Sequence, residues 1–143
     1  MRRLRAAACC AWLAWAPWAS ALNNCLPANF VDRSGQDDVV IANDQPGNPF
    51  LYRPRCLRVS AGARVLFRAV PDFGNHPLFA GTVSGSSATP DPTSPIGTIT
   101  SGAERAVVFP APGEFPYYCD FHFAQGMLGS VQVVPQWFAS GFE

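Results

Sequence analysis

Pro112-Gly113-Glu114-Phe115-Pro116-Tyr117-Tyr118-Cys119-Asp120-Phe121-His122-Phe123-Ala124-Gln125-Gly126-Met127-Leu128-Gly129-Ser130-Val131-Gln132-Val133 is the stretch that decides the fold. Pro112-Gly113 marks a turn. From Glu114 the side chains alternate, so that Phe115, Tyr117 and Cys119 face one way and Tyr118 the other. The pattern predicts one strand over Glu114 to Cys119 and another over Gly129 to Val134, where Val131 and Val133 share a face. Three extended residues span at most about 10 Å, so His122 and Met127 reach Cys119 only if the intervening loop turns back. Gly126 and Gly129 permit that turn.

Working outward, short β-branched or alternating runs recur between turn signals. They are Asp38 to Ala42, Cys56 to Ser60, Arg64 to Val70, Gly97 to Thr100 and Glu104 to Phe109. The 143 residues carry fourteen prolines and twelve glycines and no long helix-period run, which points to an all-β sandwich in one domain. Ser84 to Pro95, rich in Ser, Thr and Pro, reads as a surface loop without chemistry of its own.

The first residues read as a leader. Arg2, Arg3 and Arg5 precede an apolar run from Ala6 to Trp18, and Ala19-Ser20-Ala21 offers a signal-peptidase site. The expectation is a cleaved signal peptide over 1–21, a mature domain over 22–143 and a periplasmic or secreted location. The mature chain then has seven arginines against ten acids, which makes nucleic acid an unfavourable partner. Its cysteines number three: Cys25, Cys56 and Cys119. A disulfide between Cys25 and Cys56 leaves Cys119 as the lone thiol in an oxidising compartment. A buried free cysteine, or a different pairing, is the plain alternative for Cys119; its neighbours His122 and Met127 favour a metal ligand.

His76 and His122 are the only histidines, and Met127 is the only methionine beyond the first residue. Two imidazoles, a thiolate and a weak thioether are the donor set of a trigonal copper site with a long axial ligand, suited to electron transfer. Taken singly, His76 would pass as a loop residue and Met127 as core filler. A copper site needs two imidazoles, and that requirement brings His76 in.

The run Pro112 to Cys119, then His122, Gly126-Met127, Gly129 and the strand Ser130 to Val133, resembles plastocyanin-type blue copper proteins, which belong to the cupredoxins. The resemblance is sharp over about 107–134 and looser from Val39 to Leu78. It implies a Greek-key β-sandwich, one type 1 copper cycling between Cu(I) and Cu(II), and single-electron transfer between redox partner proteins. It gives Cys119, His122 and Met127 the family's ligand roles and His76 that of the histidine in the earlier loop. Tyr118 matches an exposed tyrosine used in partner docking. Phe79, Phe121 and Phe123 are candidates for an apolar rim around His122.

Pro77 departs from the family's pattern. An asparagine usually follows the first histidine and donates its backbone N–H to the thiolate, whereas proline has none; Asn75 is a possible substitute. Four protein ligands leave no open position for a reactant, so neither an enzyme nor a small-molecule substrate is expected. Two histidines cannot build a trinuclear cluster, and the paired cysteines of a dinuclear centre are absent. The rivals are copper storage or delivery in the periplasm, a metal-free binding sandwich, and redox-silent zinc. A monomer is expected.

Overall fold

In a computed structural model the described residues are 21–136. The expected leader, apart from Ala21, and the tail 137–143 lie outside them.

Among the described residues ten strands form two sheets packed face to face: β1 (Val31–Asp32), β2 (Asp38–Ala42), β3 (Cys56–Ser60), β4 (Arg64–Arg68), β5 (Leu78–Ser84), β6 (Ser87–Pro90), β7 (Thr98–Ile99), β8 (Glu104–Val108), β9 (Gly113–Cys119) and β10 (Leu128–Val134). The larger sheet runs β1-β3-β10-β9-β5-β6, with β7 also on β5, and the smaller runs β2-β4-β8. The pairs β1/β3, β3/β10 and β2/β4 are parallel and the others antiparallel. The chain crosses between sheets at β1 to β2, β2 to β3, β3 to β4, β4 to β5, β7 to β8 and β8 to β9, giving the all-β sandwich that the strand spacing predicts.

Period-two alternation fills the core. Val39, Ile41, Val65, Phe67 and Val107 come from the smaller sheet; Leu57, Val59, Leu78, Ala80, Tyr117, Val131 and Val133 come from the larger. Tyr117 stands at the centre, edge-on to Phe67 at 5.4 Å and to Tyr52 at 5.7 Å between ring centroids. Its hydroxyl donates to the Arg55 carbonyl at 2.9 Å, which satisfies a fully buried phenol. Burial pushes its pKa well above the ordinary value.

Several strand expectations need correction. β5 lies wholly where the strand pattern predicts none, and Ser84 to Pro95 is not wholly a loop, because Ser87–Pro90 pairs with β5. β6 is an exposed polar edge strand, so it carries no apolar alternation to read. Gly81 interrupts the pattern of β5 because the Thr89 backbone lies where a Cβ would be. β4 ends at Arg68: Ala69 N–H turns to the Ala103 carbonyl and Val70 N–H to the Asn43 side chain, so both leave the ladder.

The disulfide Cys25–Cys56 forms as expected, with an S–S distance of 2.09 Å. Beside it, Asn23 is buried in a left-handed conformation that asparagine tolerates. Its Nδ2 lies 3.0 Å from the Gly81 carbonyl, 2.8 Å from that of Tyr117 and 3.1 Å from that of Gly129, and its Oδ1 accepts from Val83 N–H at 2.8 Å. Asn23 thus ties β5, β9 and β10 together where the β5/β9 ladder ends, at Ala80 opposite Tyr117.

Candidate metal centre

Cys119 closes β9 with its side chain at the edge of the core, where it is fully buried and makes no disulfide. The chain after it reverses sharply. His122 N–H donates to the Cys119 carbonyl at 3.2 Å, and a 3-10 turn follows over Phe123–Gln125. Gly126, at a left-handed φ of 93°, then lets Met127 N–H return to the His122 carbonyl at 3.2 Å. Cys119 N–H donates to the Met127 carbonyl at 2.8 Å, so both ends of the loop are pinned together.

Gly129 plays a different part from the one expected. It lies within β10, not at the reversal, and a Cβ there would strike the Arg55 carbonyl and the Tyr117 hydroxyl. The glycine is required by close packing against Tyr117, not by a turn.

His76 arrives on a separate loop built by Asp72. The Asp72 carboxylate accepts from the N–H and side-chain amide of Asn75, each at 3.0 Å, and its carbonyl accepts from His76 N–H at 3.1 Å. Those hydrogen bonds hold the Asp72 carboxyl below its ordinary pKa. The donors of Asn75 are therefore engaged with Asp72 and do not substitute for the N–H that Pro77 lacks. The carbonyl of Pro77 accepts from Asp120 N–H at 2.9 Å and joins the His76 loop to the residue after Cys119.

These loops bring His76, Cys119 and His122 together, their donor atoms all within 4.8 Å of one another. His76 Nδ1 lies 3.2 Å from His122 Nδ1, and Cys119 Sγ lies 3.4 Å from His122 Nδ1. An ion bonded at roughly 2.0–2.3 Å needs donors about 3–4.5 Å apart, so three side chains from two loops converge at a spacing that fits one metal. Two imidazoles with one thiol suit copper. Met127 is fully buried in the adjoining core, near His76.

The electrostatics follow from burial. Burial pushes the Cys119 thiol up, and Asp120 adds to this, while the N–H groups of Phe121 and His122 pull it down. Burial, and then the neighbouring His122, lowers the pKa of His76, against a hydrogen bond to the Val70 backbone that raises it. Burial pushes the Tyr52 phenol far above its ordinary value. Its hydroxyl donates to the His76 carbonyl at 3.4 Å.

Sequence reasoning missed two contributors. Asn43 is buried; its amide donates to the carbonyls of Pro49 at 2.9 Å and Val70 at 3.1 Å and accepts from Val70 N–H at 2.7 Å. Phe50, in the loop that Asn43 anchors, sits with its ring centroid 4.6 Å from that of His122. An asparagine at the end of a β-branched strand was the one signal available for the first, and nothing in the local pattern marks the second. Phe121, 59% exposed, flanks His122 at 6.3 Å and completes an apolar rim. Tyr118 is not the exposed docking residue that the resemblance implied: Phe79 stacks on it at 5.8 Å, Phe123 meets it edge-on at 5.9 Å, and 1% of it remains exposed.

Comparison with known proteins agrees with this chemistry. The profile of copper-binding proteins of the plastocyanin/azurin family matches residues 39–134. Halocyanin of Natronomonas pharaonis is 30% identical over 105 residues, 73% of this chain and 61% of that protein. Plastocyanin of Prochlorothrix hollandica is 30% identical over 83 residues, 58% of this chain and 63% of that protein. The chain thus spans about three fifths of the length of each relative. Among solved structures, reduced rusticyanin superposes with a TM-score of 0.53 at 21% identity, covering 76% of this chain and 87% of that one, a likeness of fold alone.

Proposed function

Because the chain belongs to the plastocyanin/azurin family of copper-binding proteins, we propose that it carries single electrons between redox partner proteins on one copper held by His76, Cys119, His122 and Met127. The observation that carries this reading is the convergence of two Nδ1 atoms 3.2 Å apart with a buried thiol 3.4 Å from one of them. Copper, when bound, supplies the Cu(I)/Cu(II) couple.

The chain's own residues do the rest. Cys119 and Met127 are fully buried and His76 nearly so, which keeps water from the donors. The loop bonds between Cys119, His122 and Met127 fix the donors in advance, so a change of charge requires little rearrangement. His122 is half-exposed between Phe50 and Phe121 and is the edge at which a partner would meet the site. With four protein ligands no position remains for a reactant, which favours a carrier over an enzyme. We place the protein in the periplasm or outside the cell on the strength of the leader-like start and the disulfide.

Copper loading of the secreted form is the direct test. The carrier should show an intense blue thiolate-to-copper absorption that bleaches with ascorbate, and should lose its metal slowly to a chelator. Rapid loss would favour storage or delivery. A colourless copper form, or a Cys119→Ser variant with unchanged spectrum and metal content, would remove the reading.

A further inference from the structure

Charge is unevenly distributed over the described residues. They hold seven arginines against nine acids, and three of the arginines are ion-paired: Arg58 with Asp32, Arg64 with Asp38, Arg68 with Asp44 and Glu104. Arg33, Arg53, Arg55 and Arg105 have no ion pair among the described residues. Three of those four, Arg33, Arg53 and Arg55, line a single cavity of about 860 Å³. The one acid lining it, Asp38, is engaged with Arg64. The hydrogen bonds found for these guanidinium groups go to backbone carbonyls, from Arg33 to Asp32 at 3.2 Å and from Arg55 to Asn24 at 3.5 Å. The described residues, net-negative as a set, therefore concentrate their free positive charge in one place.

That place adjoins the metal centre. Leu51 and Tyr52 also line the cavity. Leu51 Cδ2 is 3.7 Å from where a Cβ on Gly126 would stand, in the loop between His122 and Met127. Tyr52 bonds the His76 carbonyl, and Phe50 packs on His122. One continuous segment, Phe50 to Arg55, thus joins the apolar rim to the arginine cavity.

We propose that the Arg33/Arg53/Arg55 cavity, continuous with the Phe50 and Phe121 rim around His122, is the docking surface for a carboxylate-rich face of a redox partner protein, a reading that rests on the electron-carrier function. Clustered charge of one sign beside an exit edge raises the encounter rate and orients the partner, more strongly at low ionic strength. Arginine forks pair with carboxylates in bidentate fashion, which fixes the register of docking.

The test uses the copper-loaded, reduced protein and hexacyanoferrate(III) as an anionic probe. One electron leaves the protein and reduces Fe(III) to Fe(II), with no bond made or broken and no proton moved. Arg53→Glu and Arg55→Glu should each lower the second-order rate about tenfold at low ionic strength, and Arg33→Glu serves if either fails to fold. Arg105→Glu makes the same change in net charge on β8 and should alter the rate by no more than about twofold. Unchanged blue absorption in every variant reports an intact centre. A hexaglutamate peptide should slow the wild-type reaction more than sulfate does at equal ionic strength. Equal slowing by Arg105→Glu, or equal competition by sulfate, overturns the proposal and leaves the carrier reading intact. A wild type that passes no electron at all removes the carrier reading, and the docking surface with it.

Discussion

Asn43 and Val70 exchange two hydrogen bonds across the mouth of the site: Val70 N–H donates to Asn43 Oδ1 at 2.7 Å, and Asn43 Nδ2 donates to the Val70 carbonyl at 3.1 Å. Six residues on, His76 turns its Nδ1 toward that of His122, 3.2 Å away. The amide of Asn43 thus fixes the start of the segment that carries His76 to the site. Through the Pro49 carbonyl it also anchors the loop bearing Phe50.

Asn43→Ala removes the partner of the Pro49 carbonyl and of both Val70 backbone groups, which water can reach in part, and should lower stability by about 1–2 kcal/mol in urea unfolding of the copper-free protein. Copper loss to a chelator should quicken at the same time. Asn43→Asp keeps the acceptor for Val70 N–H and should fall between the two. A variant that destabilises the fold yet leaves copper loss unchanged would confine Asn43 to a structural part.

Pro77→Asn supplies the backbone N–H that the family resemblance directs to the Cys119 sulfur. Drawing electron density from the thiolate favours the reduced state, so the reduction potential should rise. A net hydrogen bond of about 1 kcal/mol corresponds to roughly 40 mV for a one-electron couple. Voltammetry of the variant checks this, and an unchanged or lowered potential counts against it.

Gly129→Ala forces a methyl into the Arg55 carbonyl and the Tyr117 hydroxyl, which is 2.5 Å from the Cβ position. Both are held by the core, so the strain cannot be relieved by a surface rotamer. A loss of about 2–3 kcal/mol or more is expected from overpacking, measured by chemical denaturation. Tyr117→Phe in the same background removes one of the two obstacles and should recover part of the loss.

Opposed slopes are expected when stability of the copper-free protein is followed with pH. The Ser34 N–H and hydroxyl, then Arg58, hold Asp32 below its ordinary pKa, and the Thr93 hydroxyl and N–H do the same for Asp91. A depressed carboxyl stabilises the fold above its ordinary pKa near 3.8, and that contribution is lost as the pH falls through the lower folded value. Burial raises Glu114, opposed by the hydroxyl of Ser130. Its contribution is full below the ordinary value near 4.5 and is lost as the pH rises through the raised one. Asp91→Asn should flatten the acid side of the profile and Glu114→Gln the fall that sets in above about pH 4.5. A profile that neither variant changes would exclude these groups.

The sequence by itself determined the strands with clean alternation, β2, β3 and β9 among them, because a side-chain period of two is written directly into the order of residues. It also named the candidate donors, since two histidines and one internal methionine leave few combinations around Cys119, and it pointed to the Cys25–Cys56 pairing that the structure shows. Tertiary structure alone decided what depends on groups far apart in the chain. Gly129 is fixed by Arg55 and Tyr117, Asn23 by three strands at once, and Asn43 by Val70, and no local pattern records such partners. Tyr118 alternates outward as expected, yet Phe79 and Phe123 cover it, and only the meeting of separate loops brings Phe50 beside His122 to join Phe121.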